Sequence, residues 1–393
     1  TGSITSADGT YSLEIPEGDV SLQFSFIGYE ILVIPVGNAT VVDAVLEPAA
    51  YEMDEVVVTA LGIQRQEKTL TYSQQSVDAD ELTKTRDINF MNSLSGKAAG
   101  VEIKKNASGA GGYTRIILRG TKSLTGDSEP LFVIDGIPMA NNKPSQAGMW
   151  GCWDGGDGLS QVNPEYIESV SILKGTNAAA LYGSQGANGE VLITTKSGSE
   201  GVAKVSFNTG ISFDNPMVMP ELQFDYGAEG ASEQSWSYTK GDYDDTFVDD
   251  FFQTGYNLVN SISVSGGTSR TSAYFSYANT NSQGIVPSNT YKKNNITFKQ
   301  STKLAKDKVT VSSNIMLTEE RIHNRMPAGY YLNPVLNVYQ YPRQLDFDDY
   351  YENYEYFDET RNIMLQNVIV NNHFISNPAW ILNNQPRDDN TKR

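Results

Sequence analysis

The chain has 393 residues, long enough for two or three domains, and carries 29 Lys plus Arg against 47 Asp plus Glu, a net charge of −18. That acidity argues against nucleic acid and against docking on anionic lipid through a polybasic patch. The single Cys152 rules out an intramolecular disulfide, and no apolar run reaches the ~18 residues of a membrane helix, which leaves a membrane β-barrel open.

Residues 1–48 read as a small all-β unit, a partial β-sandwich. Strands are predicted at Tyr11–Ile15, Val20–Ile27, Ile31–Val36 and Thr40–Leu46, with Val20, Leu22, Phe24 and Phe26 on one face. Alone it is too small to bury much core. The chain opens inside what reads as a strand and turn, so a preceding segment is expected. Residues 49–75 form a junction. Asp54, Glu55, Val56, Val57, Val58, Thr59 and Ala60 make a β-branched run led by two acids, followed by a polar tether to Gln75. An extended segment with unpaired N–H and C=O groups invites addition to another protein's sheet edge. An ordinary linker strand is the plainer alternative.

Residues 76–200 mix elements as one globular domain. Ile88–Ala99 is predicted helical, with Ile88, Met91 and Leu94 at helical spacing. Strands are predicted at Val101–Ile103, Thr114–Gly120, Leu131–Ile134, Val170–Leu173 and Val191–Thr195. Asn163-Pro164-Glu165 opens a short helix by the cap-then-proline rule, and a second helix is expected near Ala178–Tyr182. From residue 201 the period changes to two. Ala203-Val205-Phe207-Ile211-Phe213, Leu258-Ile262-Val264, Ala273-Phe275-Tyr277, Ile296-Phe298 and Val309-Val311-Ile315-Leu317 alternate with small polar residues. That pattern suits barrel strands with a lipid face and a wet lumen, joined by short turns at one end and long loops (214–257, 320–393) at the other. A soluble β-sandwich gives the same alternation.

Enzyme signatures are lacking. There are two histidines, His323 and His373, no Gly-x-Ser-x-Gly elbow, and no P-loop, since Gly96-Lys97 is followed by Ala98. Glu319 and His323 would share a helix face as metal ligands, but they stand in a strand pattern. Asp154-Gly155-Gly156-Asp157-Gly158 has a calcium-loop look without the twelve-residue acidic spacing, so a plain turn is the stronger reading.

Several ordered motifs carry a family resemblance. Met53 to Gly62 resembles the TonB box of SusC-like transporters. Leu173-Lys174-Gly175-Thr176-Asn177-Ala178-Ala179-Ala180-Leu181-Tyr182-Gly183-Ser184, continued by Ala187-Asn188-Gly189 and Thr194-Thr195-Lys196-Ser197-Gly198, is similar to the signature closing that family's plug. Ile117-Leu118-Arg119-Gly120 and Phe132-Val133-Ile134-Asp135-Gly136-Ile137-Pro138 resemble the plug's strand motifs. Residues 10–48 resemble the second half of the preceding carboxypeptidase-regulatory-like domain. The resemblance spans about residues 9–213. Tyr113, Cys152, Tyr166 and Glu190 depart from the pattern; Glu190 stands where an apolar residue opens a buried strand, and an unpaired carboxylate there costs several kcal/mol or is protonated.

The resemblance implies a partial carboxypeptidase-regulatory-like domain at 1–48, TonB box and linker at 49–75, an α+β plug domain at 76–200, and the first strands of a transmembrane antiparallel β-barrel at 201–393. A barrel of about 22 strands cannot close from five, so further strands are expected. It further implies a Gram-negative outer membrane location in the lipid bilayer, no enzyme activity, no cofactor and no metal. The implied function is TonB-dependent import of a large nutrient, an oligosaccharide ahead of a peptide. TonB grips Asp54–Ala60 by strand addition and a SusD-like surface lipoprotein acts as lid, with a dimer of the transporter–lid pair left open. A siderophore or vitamin receptor of the same architecture and a non-transporting secreted adhesin are the alternatives. Ligand-contact candidates are Tyr350, Tyr351, Tyr354 and Tyr356, in an acidic aromatic run suited to sugar rings, and Trp150 and Trp153 in a plug loop. A solvated loop with packed tyrosines is the competing reading.

Overall fold

The computed structural model describes residues 2–392 apart from 7–8, 17, 19, 27–28, 30, 38, 48–55, 59–63, 67–73, 85–86, 106–108, 124–127, 140, 142–147, 175–178, 180–181, 231–235 and 370–373. Contacts divide the chain into residues 1–56 with 66–68, and residues 57–65 with 69–393.

In the first unit, β1 (Ser21–Phe24) and β2 (Leu32–Pro35) form an antiparallel pair whose Leu22 and Phe24 face inward. The strands expected at Tyr11–Ile15 and Thr40–Leu46 make no ladder. Side-chain links take its place: the Tyr11 hydroxyl donates to Val42 O at 2.7 Å, and its ring meets Phe24 edge-on. At the junction, β3 (Val56–Val58) pairs with β4 (Gln64–Gln66). The remaining box positions Asp54, Glu55, Thr59 and Ala60 lie outside the described residues.

The second unit begins with β5 (Gln74–Asp78) and α1 (Ala79–Thr83). The hairpin β6 (Val101–Lys105) and β7 (Thr114–Leu118) follows, then β8 (Leu131–Ile134), β9 (Ile137–Met139), β10 (Ile167–Leu173) and β11 (Glu190–Thr195). A five-stranded sheet runs β5-β10-β11-β8-β9, antiparallel except for the parallel β11–β8 pair. Its central strands bury apolar residues on both faces because both are covered, Val170 and Ile172 against Leu173 on β10 and Val191 and Ile193 against Leu192 on β11. Phe132, Ile172, Val191 and Ile193 enter one core with Phe90, Met91 and Leu94, while Val133, Leu173 and Leu192 form another on the opposite face. The predicted helix at Ile88–Ala99 is only a 3₁₀ turn, Phe90–Leu94, capped by Asn89 and ended before Gly96, whose φ of 76° no helix accepts. Met91 and Leu94 still reach the core. The short helix at Asn163 is present as a capped 3₁₀ turn, Pro164–Tyr166. Of the expected 178–182 helix, Ala178, Ala180 and Leu181 lie outside the described residues.

Beyond residue 200, β12 (Gly201–Asp214) is followed by the two-residue strands β13 (Tyr226–Gly227) and β14 (Thr239–Lys240) and by α2 (Phe247–Phe251). Then come β15 (Gly255–Gly267), β16 (Thr271–Gln283), β17 (Thr290–Leu304) and β18 (Val309–His323). After α3 (Pro334–Tyr339), α4 (Phe347–Glu352), the hairpin β19 (Glu355–Asp358) and β20 (Ile363–Gln366), and α5 (Pro378–Asn384), β21 (Asp389–Lys392) returns to β18. The large sheet is antiparallel in the order β12-β15-β16-β17-β18-β21. Each alternating segment read from sequence is a strand of it.

Pairing registers put the outward apolar residues in rows: Val205–Val264–Phe275–Phe298–Ile315 and Phe207–Ile262–Tyr277–Ile296–Leu317. All ten are exposed. The band slants across these rows. The apolar stretch of β12 (203–213) centres on Asn208, which is in register with Thr318, whereas the stretch of β18 (309–317) centres on Ser313. That displacement is roughly 16 Å along the strands against 19 Å across them, a slant of about 40°. Barrel strands tilt by that angle to the barrel axis, so a level membrane must cut the rows obliquely. A two-layer soluble sandwich would bury this face instead.

The long intervals are folded rather than open. Phe247 and Phe251 on α2, Val338 and Tyr341 at α3, Phe347 and Tyr350 on α4, and Leu382 on α5 pack into one core. Asn333-Pro334 and Asn377-Pro378 start α3 and α5 by the rule that starts the turn at Asn163.

Gly111 marks how closely the small domain approaches the sheet. Its φ is +82°, and a Cβ there would lie 2.7 Å from Ile322 Cδ1 and 2.9 Å from Tyr291. Gly111→Val is expected to cost about 3 kcal/mol locally and to open a protease-sensitive site at 109–113 in an otherwise folded full-length protein; an unchanged cleavage pattern would show that the approach is loose.

Candidate functional site

The inward face of the sheet is polar: Ser261, Ser276, Thr280, Lys293, Asn295, Thr297, Thr318 and Glu320 are all buried. In a strand these positions alternate with the outward Ile296, Phe298 and Leu317, so the pleat that sends one set to lipid sends the other to the globular domain. Buried polar groups need partners. Asn295 Nδ2 donates to Thr318 Oγ1 within the sheet at 2.7 Å, the Thr297 hydroxyl has no partner among the described residues, and for the long cationic and amide side chains the globular domain supplies them. Lys293 Nζ donates to Ser160 O at 2.6 Å. Lys299 Nζ reaches Asp135 Oδ2 at 3.0 Å and Thr195 Oγ1 at 2.8 Å. The Tyr166 hydroxyl donates to Asn314 Oδ1 at 3.1 Å, and Arg325 Nη1 donates to Asp154 O at 2.5 Å. Burial pushes the Tyr166 phenol up to about 12, so it stays a neutral donor.

The Asp154–Gly158 segment is a hub of this contact. Asp154 accepts from Tyr113 N (2.6 Å) and Gly156 N (2.9 Å). Asp157 accepts from Thr114 N (2.9 Å), Ser160 N (2.8 Å) and Asn89 Nδ2 (3.1 Å). Burial raises the Asp157 carboxyl above the usual range, and the backbone bonds from Thr114 and Ser160 oppose that. With their lone pairs turned to N–H groups, these acids brace a turn, and no grouping of ligand side chains among the described residues suits a metal. Glu319 and His323 lie on β18, too far apart in an extended strand to share an ion.

Trp150 and Trp153 sit where the two parts meet. Backbone N–H groups of Ala328, Tyr330 and Tyr331 donate to the carbonyls of Cys152, Met149 and Trp150 at 3.0–3.1 Å. The half-exposed Trp150 ring lies 6.0 Å from Tyr330, 6.5 Å from Tyr331 and 6.2 Å from Phe374, an aromatic platform shared by both parts. Trp153 lies under the Arg387 guanidinium at 4.4 Å. The tyrosine run divides. Tyr350 is buried against Tyr341 at 5.1 Å, and Tyr351 stacks on Phe347, so both rings build the loop core. Tyr354 is half-buried, while Tyr356 is exposed on β19. Tyr330, Tyr331, Phe374 and Arg387 escaped the sequence reading; the adjacent tyrosines after Pro327-Ala328-Gly329 were the signal available.

A globular domain keyed by polar bonds to the inner face of a slanted, lipid-banded sheet defines a plugged outer-membrane barrel receptor. Family comparison agrees. The TonB-dependent Receptor Plug Domain model matches residues 66–190, and the CarboxypepD_reg-like domain model matches residues 1–58. The chain is 33% identical over 298 residues to TonB-dependent receptor SusC of Bacteroides thetaiotaomicron, covering 75% of this chain and 28% of that one. It is 35% identical over 219 residues to TonB-dependent receptor P39 of Formosa agariphila, covering 55% and 19%. The RagAB peptide importer in its open-open state shares the fold, with a TM-score of 0.55, 21% identity and coverage of 70% and 33%. The chain is that of a SusC/RagA-like TonB-dependent receptor, a transport family of the Gram-negative outer membrane, and it spans less than a third of the curated relatives it matches.

Glu190 is the discordant residue in the plug. It opens β11 fully buried, flanked in its row by Leu131 and Leu173, and neither carboxylate oxygen has a hydrogen-bond partner. Burial pushes its carboxyl up to about 7 from an ordinary 4.5. The folded plug thus holds the proton more tightly than the unfolded chain, so stability is full below pH 4.5 and declines as pH rises toward 7. Protection factors at Val191–Ile193 in the full-length receptor, with the intrinsic base-catalysed rate divided out at each pH, should be smaller at pH 8 than at pH 5, and Glu190→Val should abolish that difference and add about 2 kcal/mol at pH 8. Equal protection factors at both pH values would mean the carboxylate finds a partner.

Proposed function

We propose that this chain serves TonB-driven import of a large nutrient across the outer membrane, with an oligosaccharide as the cargo class. The observation that carries the reading is the order of parts: a short strand precedes a plug that is bonded to the inner face of the sheet. Among the described residues β3 has one ladder partner, β4, so its other edge is unpaired. A strand with a free edge accepts a partner's strand, and main-chain bonds then transmit a pull. TonB is the partner of that edge in this reading, with Asp54 and Glu55 leading it, and a SusD-like lipoprotein closes the outer mouth.

The carbohydrate assignment leans on the platform of Trp150, Tyr330, Tyr331 and Phe374, since flat rings present apolar faces to the C–H face of a sugar. Of the tyrosine run, the exposed Tyr356 is the member left available for such contact.

Deleting residues 54–60 in the full-length receptor should end growth on the cognate nutrient while surface display persists. Growth that continues unchanged overturns the TonB reading. Trp150→Ala should weaken oligosaccharide binding by roughly tenfold or more, the effect of one lost aromatic anchor; unaltered sugar affinity together with lost peptide affinity would reassign the cargo.

A further inference from the structure

Three cations meet on the outward face of the sheet, just beyond the apolar band. Lys292 on β17 and Arg321 on β18 are direct cross-strand partners. Lys392 on β21 is in register with Glu319, two residues from Arg321 on the same face. Like charges facing each other in a ladder destabilise it unless an anion intervenes. Glu319 is the carboxylate at hand, and it is shared: Arg321 Nη2 lies 2.8 Å from its Oε1 and Lys392 Nζ 3.3 Å. Lys292 is exposed and has no ion pair or side-chain hydrogen bond among the described residues. The chain's overall charge of −18 is thus locally reversed at this rim: Arg321 and Lys392 share one carboxylate, Lys292 pairs with none among the described residues, and the neighbouring Asp388 is engaged by His323.

The height of the cluster points to the kind of anion it suits. The short turns β15–β16 and β17–β18 lie at one end of the sheet and the long folded loops at the other, so the cluster is on the loop side, the outer side of an outer-membrane barrel. Counting along tilted strands from the middle of the band, Lys292, Arg321 and Lys392 stand seven or eight residues up, about 18–20 Å from the bilayer midplane. The hydrocarbon half-thickness is about 13–15 Å, so their charged ends lie level with the headgroups. Guanidinium and ammonium groups in such a cluster match phosphate oxygens, which Arg binds through paired N–H donors.

We propose that Lys292, Arg321 and Lys392 hold the phosphate of a phosphorylated glycolipid of the outer leaflet against the outer wall of the barrel. The bound phosphate relieves the facing cations, and the acyl chains continue down the band over Ile296, Phe298 and Leu317.

The test titrates the detergent-solubilised full-length receptor with phosphorylated lipid A, with the same lipid dephosphorylated, and with inorganic phosphate alone. The triple variant Lys292→Gln, Arg321→Gln, Lys392→Gln should bind the phosphorylated lipid roughly tenfold to a hundredfold more weakly than wild type, at about one surface charge lost per substitution. Both proteins should bind the dephosphorylated lipid alike, and millimolar inorganic phosphate should not compete. A control triple, Lys303→Gln, Lys306→Gln, Lys308→Gln, removes equal charge at the turn end and should leave binding intact. Should the outer triple fold poorly, Lys292→Arg, Lys392→Arg keeps the charges and should keep the binding. Equal binding by wild type and the outer triple, equal loss in the control, or full competition by inorganic phosphate would overturn the proposal.

Discussion

A strand with one face in lipid has nowhere to send its polar residues but inward, and there they must meet partners or lose several kcal/mol each. The structure hangs on that constraint. Lys293, Lys299 and Asn314 project from the sheet, and Ser160, Asp135, Thr195 and Tyr166 of the plug answer them. Neither partner is comfortable alone. A bare inner face would leave lysines in a cavity, and a free plug would expose the carbonyls and carboxylates that those lysines cover. Plug and sheet are therefore complementary surfaces, and a polar seam has a further merit over an apolar one, because water can re-satisfy its groups when the two separate.

Seen this way, the slant of the apolar band and the polarity of the seam are two consequences of one pleat. The outward rows follow the membrane while the inward rows follow the plug, and register between strands ties them together: a slip of one residue would put lysines into lipid. Glycines enter where the fit is tightest. Gly111 lets the plug backbone pass Tyr291 and Ile322, and Gly329 lets the loop after β18 lie against Gly148–Gly151.

Much of this was legible in the sequence. The two-residue period after 201 located every long strand of the sheet, because half-buried strands alternate by necessity. The Asn163-Pro164 start and the core role of Met91 and Leu94 were readable from capping and spacing, although the helix predicted around them shortened to a 3₁₀ turn at Ser95-Gly96. Glu190 announced itself as a buried acid, and so it is. What stayed hidden depended on distant partners. Lys293 and Lys299 look like lumen residues in any barrel strand, and nothing local says that they bind Ser160 and Asp135, more than 130 residues away. The tyrosine run misled for a similar reason: Tyr350 reads as a surface residue until α2, α3 and α5 close over it. Asn333-Pro334 and Asn377-Pro378 were the available hint that the long loops fold.

The division between a lipid face and a plug face is best tested along β17. Nitroxide labels placed singly from Asn295 to Gln300 in the full-length receptor, reconstituted in bilayers, should show a two-residue period. Oxygen accessibility should be high at Ile296, Phe298 and Gln300, with little access to a polar relaxant, and both should be low at Asn295, Thr297 and Lys299. Equal exposure of the two sets to the polar relaxant would mean that this sheet neither faces lipid nor encloses its plug.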